Sequence, residues 1–440
     1  MSTKIWLGLL MALLLSACDS MAASEATVYH NFVLIDGTDR QPVSDASMVV
    51  ENGRITWVGP SSSRPASPQA EMVDLGGKHV MPGLIDLHVH LGNVVDLTQD
   101  ASFYSRESVE KDLKTYADYG VTTVVSMGTD QDQIFAIRDE QRQGLPTMAR
   151  VYTAGQGFVY KGGYGGLAGV NEPISSVAEV DRAVAEQAEK GVDLIKIWMD
   201  DELGSMPKMP YEMTQAIIDA GHKRGLPVVA HIFYLEDAKR LLEQGIDGFA
   251  HSVRDQPVDQ ALIDAMKRNG TWQIAETLSR EASMFAYGEP APFLNDPFFW
   301  KSVSPKTREL LASPERQASI ASAAHYHDYP QFLATAQANL KRLADSGVNY
   351  GFGTDSGPPG RFPGYFAHWE LELMVQSGFT PAEALRTATG RAAEFLKADD
   401  LGTLESGNWA DFVILDANPL TDIRNTRAIS QVYIAGRPVQ

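Results

Sequence analysis

Six ionisable side chains fall at or near the ends of short apolar runs: His88 and His90 in GLIDLHVH (83–90), Lys196 in DLIKIW (193–198), His231 in PVVAHI (227–232), His251 in DGFAHS (247–252) and Asp355 in NYGFGTDS (349–356). Imidazole and carboxylate are metal ligands, and side chains two apart on a strand share a face. His88 and His90 can therefore grip one cation together. Lys196 poses a different problem. Its run is otherwise apolar, a lone buried ammonium is costly, and something must neutralise or change it. One histidine in an apolar run is more often a hydrogen-bonded core residue; the recurrence of ligand types at run after run argues for a shared site.

These residues need elements to carry them. Eight apolar runs occur, the five above plus VTTVVSMG (121–128), ARVYTAG (149–155) and TWQIAET (271–277). Helical patterns separate most of them, such as SVAEVDRAVAEQAEKG before the fourth and YLEDAKRLLEQG before the sixth. Strand–helix alternation predicts a parallel sheet wrapped by helices, and eight strands is the number that closes a barrel, with chemistry at the C-terminal strand ends. The stretch from Thr27 to Val58 reads as short strands with a Glu51-Asn52-Gly53 turn, and strand patterns return at 410–418 and 429–439. The expected fold is α/β: a (β/α)8 TIM barrel over 82–399 and a small β-sandwich built from both chain ends, 25–81 and 400–440. The proline-containing, aromatic segment from Leu278 to about Tyr329 is expected to cover the mouth.

A length of 440 residues exceeds what one core usually serves, and 44% apolar with 21% charged residues is ordinary for a globular chain. A formal charge of −19 excludes nucleic acid as an expected partner, because phosphates would be repelled. Residues 1–17 read as a signal peptide: Lys4, then an apolar run from Ile5 to Leu15. Leu15-Ser16-Ala17-Cys18 resembles the bacterial lipoprotein signal, with Cys18 as the lipidated residue. The chain is thus expected to be exported and held at a membrane surface, in the periplasm or otherwise outside the cytoplasm. Asp19 resembles an inner-membrane retention signal. Cys18 is the sole cysteine, so no internal disulfide is possible.

The ordered set resembles the amidohydrolase superfamily along nearly the whole chain after the leader. The resemblance is carried by MPGLIDLHVH, the fourth-run lysine, the later histidines, the aspartate of GTDS and the tail AEALRTATGRAAEFL…LGTLESGNWADFVILDANPL. It implies a binuclear metal-dependent hydrolase of the imidazolonepropionase and Xaa-Pro dipeptidase-like branch. His88 and His90 would bind one ion and His231 and His251 the other. Lys196 would be carboxylated on its terminal nitrogen and bridge both, and Asp355 would complete the first site and act as catalytic base, then acid. Two divalent ions, best suited as zinc, would lower the pKa of a bridging water and present hydroxide to a carbonyl.

The implied reaction is cleavage of amide C–N bonds in a small-molecule substrate, a dipeptide or N-acyl amino acid. The alternatives are a cyclic amide, a lactone or a phosphoester, or a retired scaffold that only binds a ligand. Relatives also suggest a homo-oligomer. Candidate substrate contacts are Arg254, three residues past His251, for a carboxylate, and the hydroxyls of Tyr160, Tyr164 and Tyr234. Asp86 shares the parity of His88, so it either supports the ligands or packs as a satisfied carboxylate. Asp200 and Asp201 either meet a substrate amine or cap the next segment. His30, His79, His222, His325, His327 and His368 lack strand-end placement and read as structural.

Overall fold

The computed structural model describes residues 26–274 and 277–439; the leader and the lipidation site expected at Cys18 lie outside them. Each of the eight apolar runs contains a strand. Leu84–Val89, Val121–Ser126 and Arg150–Thr153 form one parallel sheet. Ile195–Trp198, Val228–His231, Gly248–Phe249, Trp272–Gln273 and Asn349–Tyr350 form a second, also parallel. Backbone contacts run between the two sheets on both sides. Phe158 bridges Ile197, with Phe158 N–H donating to the Lys196 carbonyl at 2.8 Å; Val89 bridges Ser356, with His90 N–H donating to the Ser356 carbonyl at 2.8 Å.

Period-two alternation sorts the side chains of the second sheet. Ile195 and Ile197, with Val228, Ala230 and Ile232, pack against helix residues Val180, Val184, Ile217 and Leu241. Lys196 and His231 take the intervening positions, on the opposite face from the helices. The predicted helices form at Val177–Glu189 and Leu235–Glu243; in the first, Val180, Val184 and Gln187 are buried along one stripe. Caps set helix limits: the Asp259 side chain accepts from Leu262 N–H at 3.0 Å, and Gly270 ends that helix at φ 69°. Among the described residues, no helix is long and apolar enough to cross a membrane.

The two chain ends meet in one mixed sheet of eight strands. Val43–Glu51 pairs antiparallel with Arg54–Pro60 through the predicted turn, where Asn52 (φ 52°) and Gly53 (φ 79°) take the left-handed conformation that tight hairpins require. Phe412–Leu415 lies between His79–Pro82 and Ile429–Ile434, antiparallel to both. Thr27–Leu34 bends at a bulge around Asn31 and pairs in parallel with Glu71–Asp74 and then His79–Pro82. Tyr29, Phe32, Met48, Ile55 and Phe412 fill this sheet's core, and Phe412 stacks on Tyr433 at 4.4 Å. A buried ion pair ties it to the parallel strands: Arg150 gives Nε to Asp411 at 2.7 Å and Nη2 at 3.2 Å, and Asp411 also accepts from Ala435 N–H at 2.7 Å.

The segment from Leu278 to Tyr329 is largely helical, with helices at Leu278–Ala286, Pro305–Ala312 and Pro314–Ala321. Its aromatic residues cluster with Tyr119, Tyr365 and Phe366, and the Tyr287 hydroxyl donates to the Gly360 carbonyl at 2.7 Å, in the loop after the eighth strand.

Candidate metal centre

The strand ends bring four imidazoles into a row. Ring centroids lie 5.5 Å apart for His90 and His88, 4.8 Å for His88 and His251, and 4.1 Å for His251 and His231. All four residues are at least nine-tenths buried. In each ring one nitrogen is already engaged: His88 Nδ1 donates to the Ala250 carbonyl at 3.0 Å, His90 Nδ1 meets Thr129 Oγ1 at 2.8 Å, His251 Nδ1 meets Thr277 Oγ1 at 2.8 Å, and His231 Nε2 meets Asp200 Oδ2 at 2.7 Å. Fixing one nitrogen orients the ring and leaves the other for a ligand role. Burial pushes His88 and His251 well below the usual imidazole range and His231 down to about 4, so these rings are neutral at physiological pH.

Asp355 meets this row from the loop after Asn349–Tyr350. Its Oδ1 lies 3.1 Å from His90 Nε2 and 3.6 Å from His88 Nε2, and the possible ligand atoms of His88, His251 and Asp355 all lie within 4.8 Å of one another. Asp355 sits at φ 54°, a strained conformation that aspartate tolerates better than most residues. The return of this loop depends on Gly357: at φ 116°, a Cβ there would come 1.9 Å from the His90 carbonyl oxygen. Burial alone would raise the Asp355 carboxyl, but the Arg361 guanidinium and the nearby imidazoles hold it well below the usual range. Arg361 Nη1 contacts Asp355 Oδ2 directly and donates to its backbone carbonyl at 3.2 Å.

Lys196 is 0% exposed, and its Nζ has no hydrogen-bond partner among the described residues. Burial lowers the amine to about 7. Room for its stem comes from Gly128, at φ 96°, where a Cβ would stand 3.1 Å from Lys196 Cγ. A buried nitrogen without a partner is expensive, so the chain alone does not complete this site.

Asp86 is a satisfied carboxylate that serves the site indirectly. It accepts from His88 N–H, Thr354 N–H and the Thr354 hydroxyl at 3.1, 3.1 and 2.7 Å, tying the first strand to the loop that bears Asp355. Of the substrate candidates, Tyr164 packs against the row, its ring 5.1 Å from that of His231. Tyr234 donates to Asp201 at 2.8 Å, and Tyr160 packs with the helix-facing apolar cluster. Arg254 is 1% exposed; its Nη1 donates to the carbonyls of Ile232 and Ser252 at 2.8 and 2.9 Å, so that nitrogen is committed to the backbone. Four residues that the sequence reading did not single out adjoin the site: Thr129, Thr277, Arg280 and Arg361. Thr129 and Thr277 lie at strand ends and were open to the rule that found the histidines. Arg280, on a helix, and Arg361, in a loop, carried no such signal.

Comparison with known proteins gives a consistent set. Residues 79–439 match the model of the Amidohydrolase family. An imidazolonepropionase of Streptomyces avermitilis is 27% identical over 411 residues, covering 90% of this chain and 88% of that protein. The ochratoxinase of Aspergillus niger is 24% identical, covering 94% and 86%. Among solved structures, a Xaa-Pro dipeptidase with methionine bound in its active site superposes at TM-score 0.73 with 24% identity, covering 94% of this chain and 99% of that one.

Proposed function

The chain belongs to the amidohydrolase family, and on that premise we propose that it is a binuclear metal-dependent hydrolase that cleaves C–N bonds of acyclic amides, such as dipeptides or N-acyl amino acids. The names of the proteins it resembles, imidazolonepropionase, ochratoxinase and Xaa-Pro dipeptidase, support a C–N bond as the target. The eight parallel strands are read as a closed (β/α)8 barrel, supported by the contacts at Phe158–Ile197 and Val89–Ser356, and the terminal sheet as its companion sandwich.

The observation that carries the reading is Lys196: a buried amine without a hydrogen-bond partner among the described residues, beside four buried imidazoles and an ionised carboxylate. The donor set fits divalent cations, zinc best. His88, His90 and Asp355 would hold one ion and His231 and His251 the other. An amine lowered to about 7 has a substantial neutral fraction near neutral pH, as reaction with carbon dioxide requires. Its nitrogen would bond to the carbon and lose a proton, giving a carbamate whose negative charge suits it to hold divalent cations. When bound, the two cations supply an activated water and polarise the scissile carbonyl. The chain's own residues do the rest. Thr129, Thr277, Asp200 and the Ala250 carbonyl keep each ring in its orientation. Asp355 accepts the proton of the attacking water and returns it to the leaving nitrogen as the C–N bond breaks.

The test is complete chelation, then zinc restoration, while a library of dipeptides and N-acyl amino acids is followed by mass-resolved product analysis. Release of free amines should vanish with the metal and return with it. Turnover that survives full metal removal rejects the proposal.

A further inference from the structure

Beside the row of imidazoles, Arg254, Arg280 and Arg361 have, among the described residues, Glu281 and Asp355 as their close carboxylate partners. Glu281 is 0% exposed; one of its oxygens accepts from Arg280 Nη1 at 2.6 Å and lies 3.1 Å from Arg254 Nε as an ion pair without hydrogen-bond alignment. Arg254 is itself pinned by two backbone carbonyls. Backbone carbonyls fix Arg254, its charge faces Glu281, and Glu281 holds one end of Arg280. The other end is not satisfied. Arg280 Nε is buried with no hydrogen-bond partner among the described residues, 3.8 Å from Asp355 Oδ2. Arg361 approaches the same Asp355 oxygen from the opposing loop, its side chain 20% exposed.

A guanidinium pays for burial only when its donors find acceptors, and its fork matches a carboxylate. Asp355 is the near acceptor, and the proposed function assigns that residue to the cations and the proton transfer. We propose that Arg280, with Arg361 beside it, binds a carboxylate of the substrate next to the scissile bond. These two arginines select acids over neutral analogues. The assignment rests on the proposed site for its location, but binding can be read without turnover.

The experiment measures calorimetric binding of N-benzoylglycine and its neutral counterpart, N-benzoylglycinamide, to the zinc-loaded full chain. Wild type should favour the acid by about 30-fold, the size of a charge-assisted contact. Arg280→Met should collapse that ratio to about threefold or less, and Arg280→Lys, which keeps the charge but loses the fork, should fall between. Arg361→Met, at a more exposed position, tests the same claim if the Met variant of Arg280 does not fold, with an expected drop of about tenfold in the ratio. Equal binding of acid and amide by wild type, or an unchanged ratio in the variants, overturns the assignment. Turnover of the acid is scored separately. Discrimination in binding without hydrolysis would leave this inference standing and count against the proposed reaction.

Discussion

Two buried polar clusters in this molecule follow opposite rules. At the junction with the terminal sheet, Arg150 and Asp411 form a two-pronged pair, Asp411 also takes a backbone N–H, and Arg150 lies 4.5 Å from the centre of the Trp409 ring. Neither side chain is among the buried polar atoms left without a hydrogen-bond partner, whereas Lys196 Nζ on its strand and Arg280 Nε and Glu281 Oε2 on the helix Leu278–Ala286 are. The Arg150–Asp411 pair, which joins the two sheets, closes its own hydrogen bonds. A cluster left open at several buried atoms is shaped for something the chain does not supply.

The largest effect that separates the two is on catalysis. Lys196→Met should abolish turnover by roughly 10³-fold or more and lower the zinc bound per chain, yet stabilise the metal-free protein by about 1 kcal/mol, since it removes an unpartnered buried amine. Steady-state kinetics, metal analysis and urea unfolding after chelation read the three quantities. A destabilised apo variant would break the contrast. Asp411→Ala should do the reverse. Leaving Arg150 buried and unpaired should cost about 3–5 kcal/mol of unfolding free energy, read by urea unfolding, while kcat per folded molecule stays near wild type.

Smaller effects sharpen the picture. Thr277→Val removes the hydroxyl on His251 Nδ1 and should weaken zinc affinity by about tenfold to a hundredfold, measured by competition with a chelating dye. The smallest is a pH effect away from the centre. His368 donates through Nε2 to the Tyr119 carbonyl and meets Thr426 Oγ1 with Nδ1, and burial lowers it to about 3. Its folded pKa lies below its unfolded value of about 6.5, so the unfolded chain takes up the proton first. The stability it confers is present above about pH 6.5 and is lost as pH falls towards 3. Unfolding midpoints across that range should decline less steeply in His368→Gln.

Much of this was legible in the amino acids. Histidines, a lysine and an aspartate at the ends of apolar runs stand out because hydrophobic strands rarely tolerate them without a reason, and the runs themselves located all eight parallel strands. Side-chain direction was less accessible. The spacing of Arg254 from His251 placed it near the site but did not reveal that the Ile232 and Ser252 carbonyls hold it. Arg280 and Arg361 were invisible because a helix and a glycine-rich loop deliver them, and neither element has a strand's simple alternation. The similarity of the two chain ends announced that they would pair, but not that Phe412–Leu415 would slot between His79–Pro82 and Ile429–Ile434.

That slotting has a consequence for how the molecule is made. His79–Pro82 leaves the ribosome long before Phe412–Leu415 exists, so one of its edges waits, unzipped, while nearly all of the intervening polypeptide is synthesised. Completion of the terminal sheet therefore waits on synthesis of Phe412–Leu415, and a chain cut short before Phe412 would carry a bare strand edge as an invitation to aggregate.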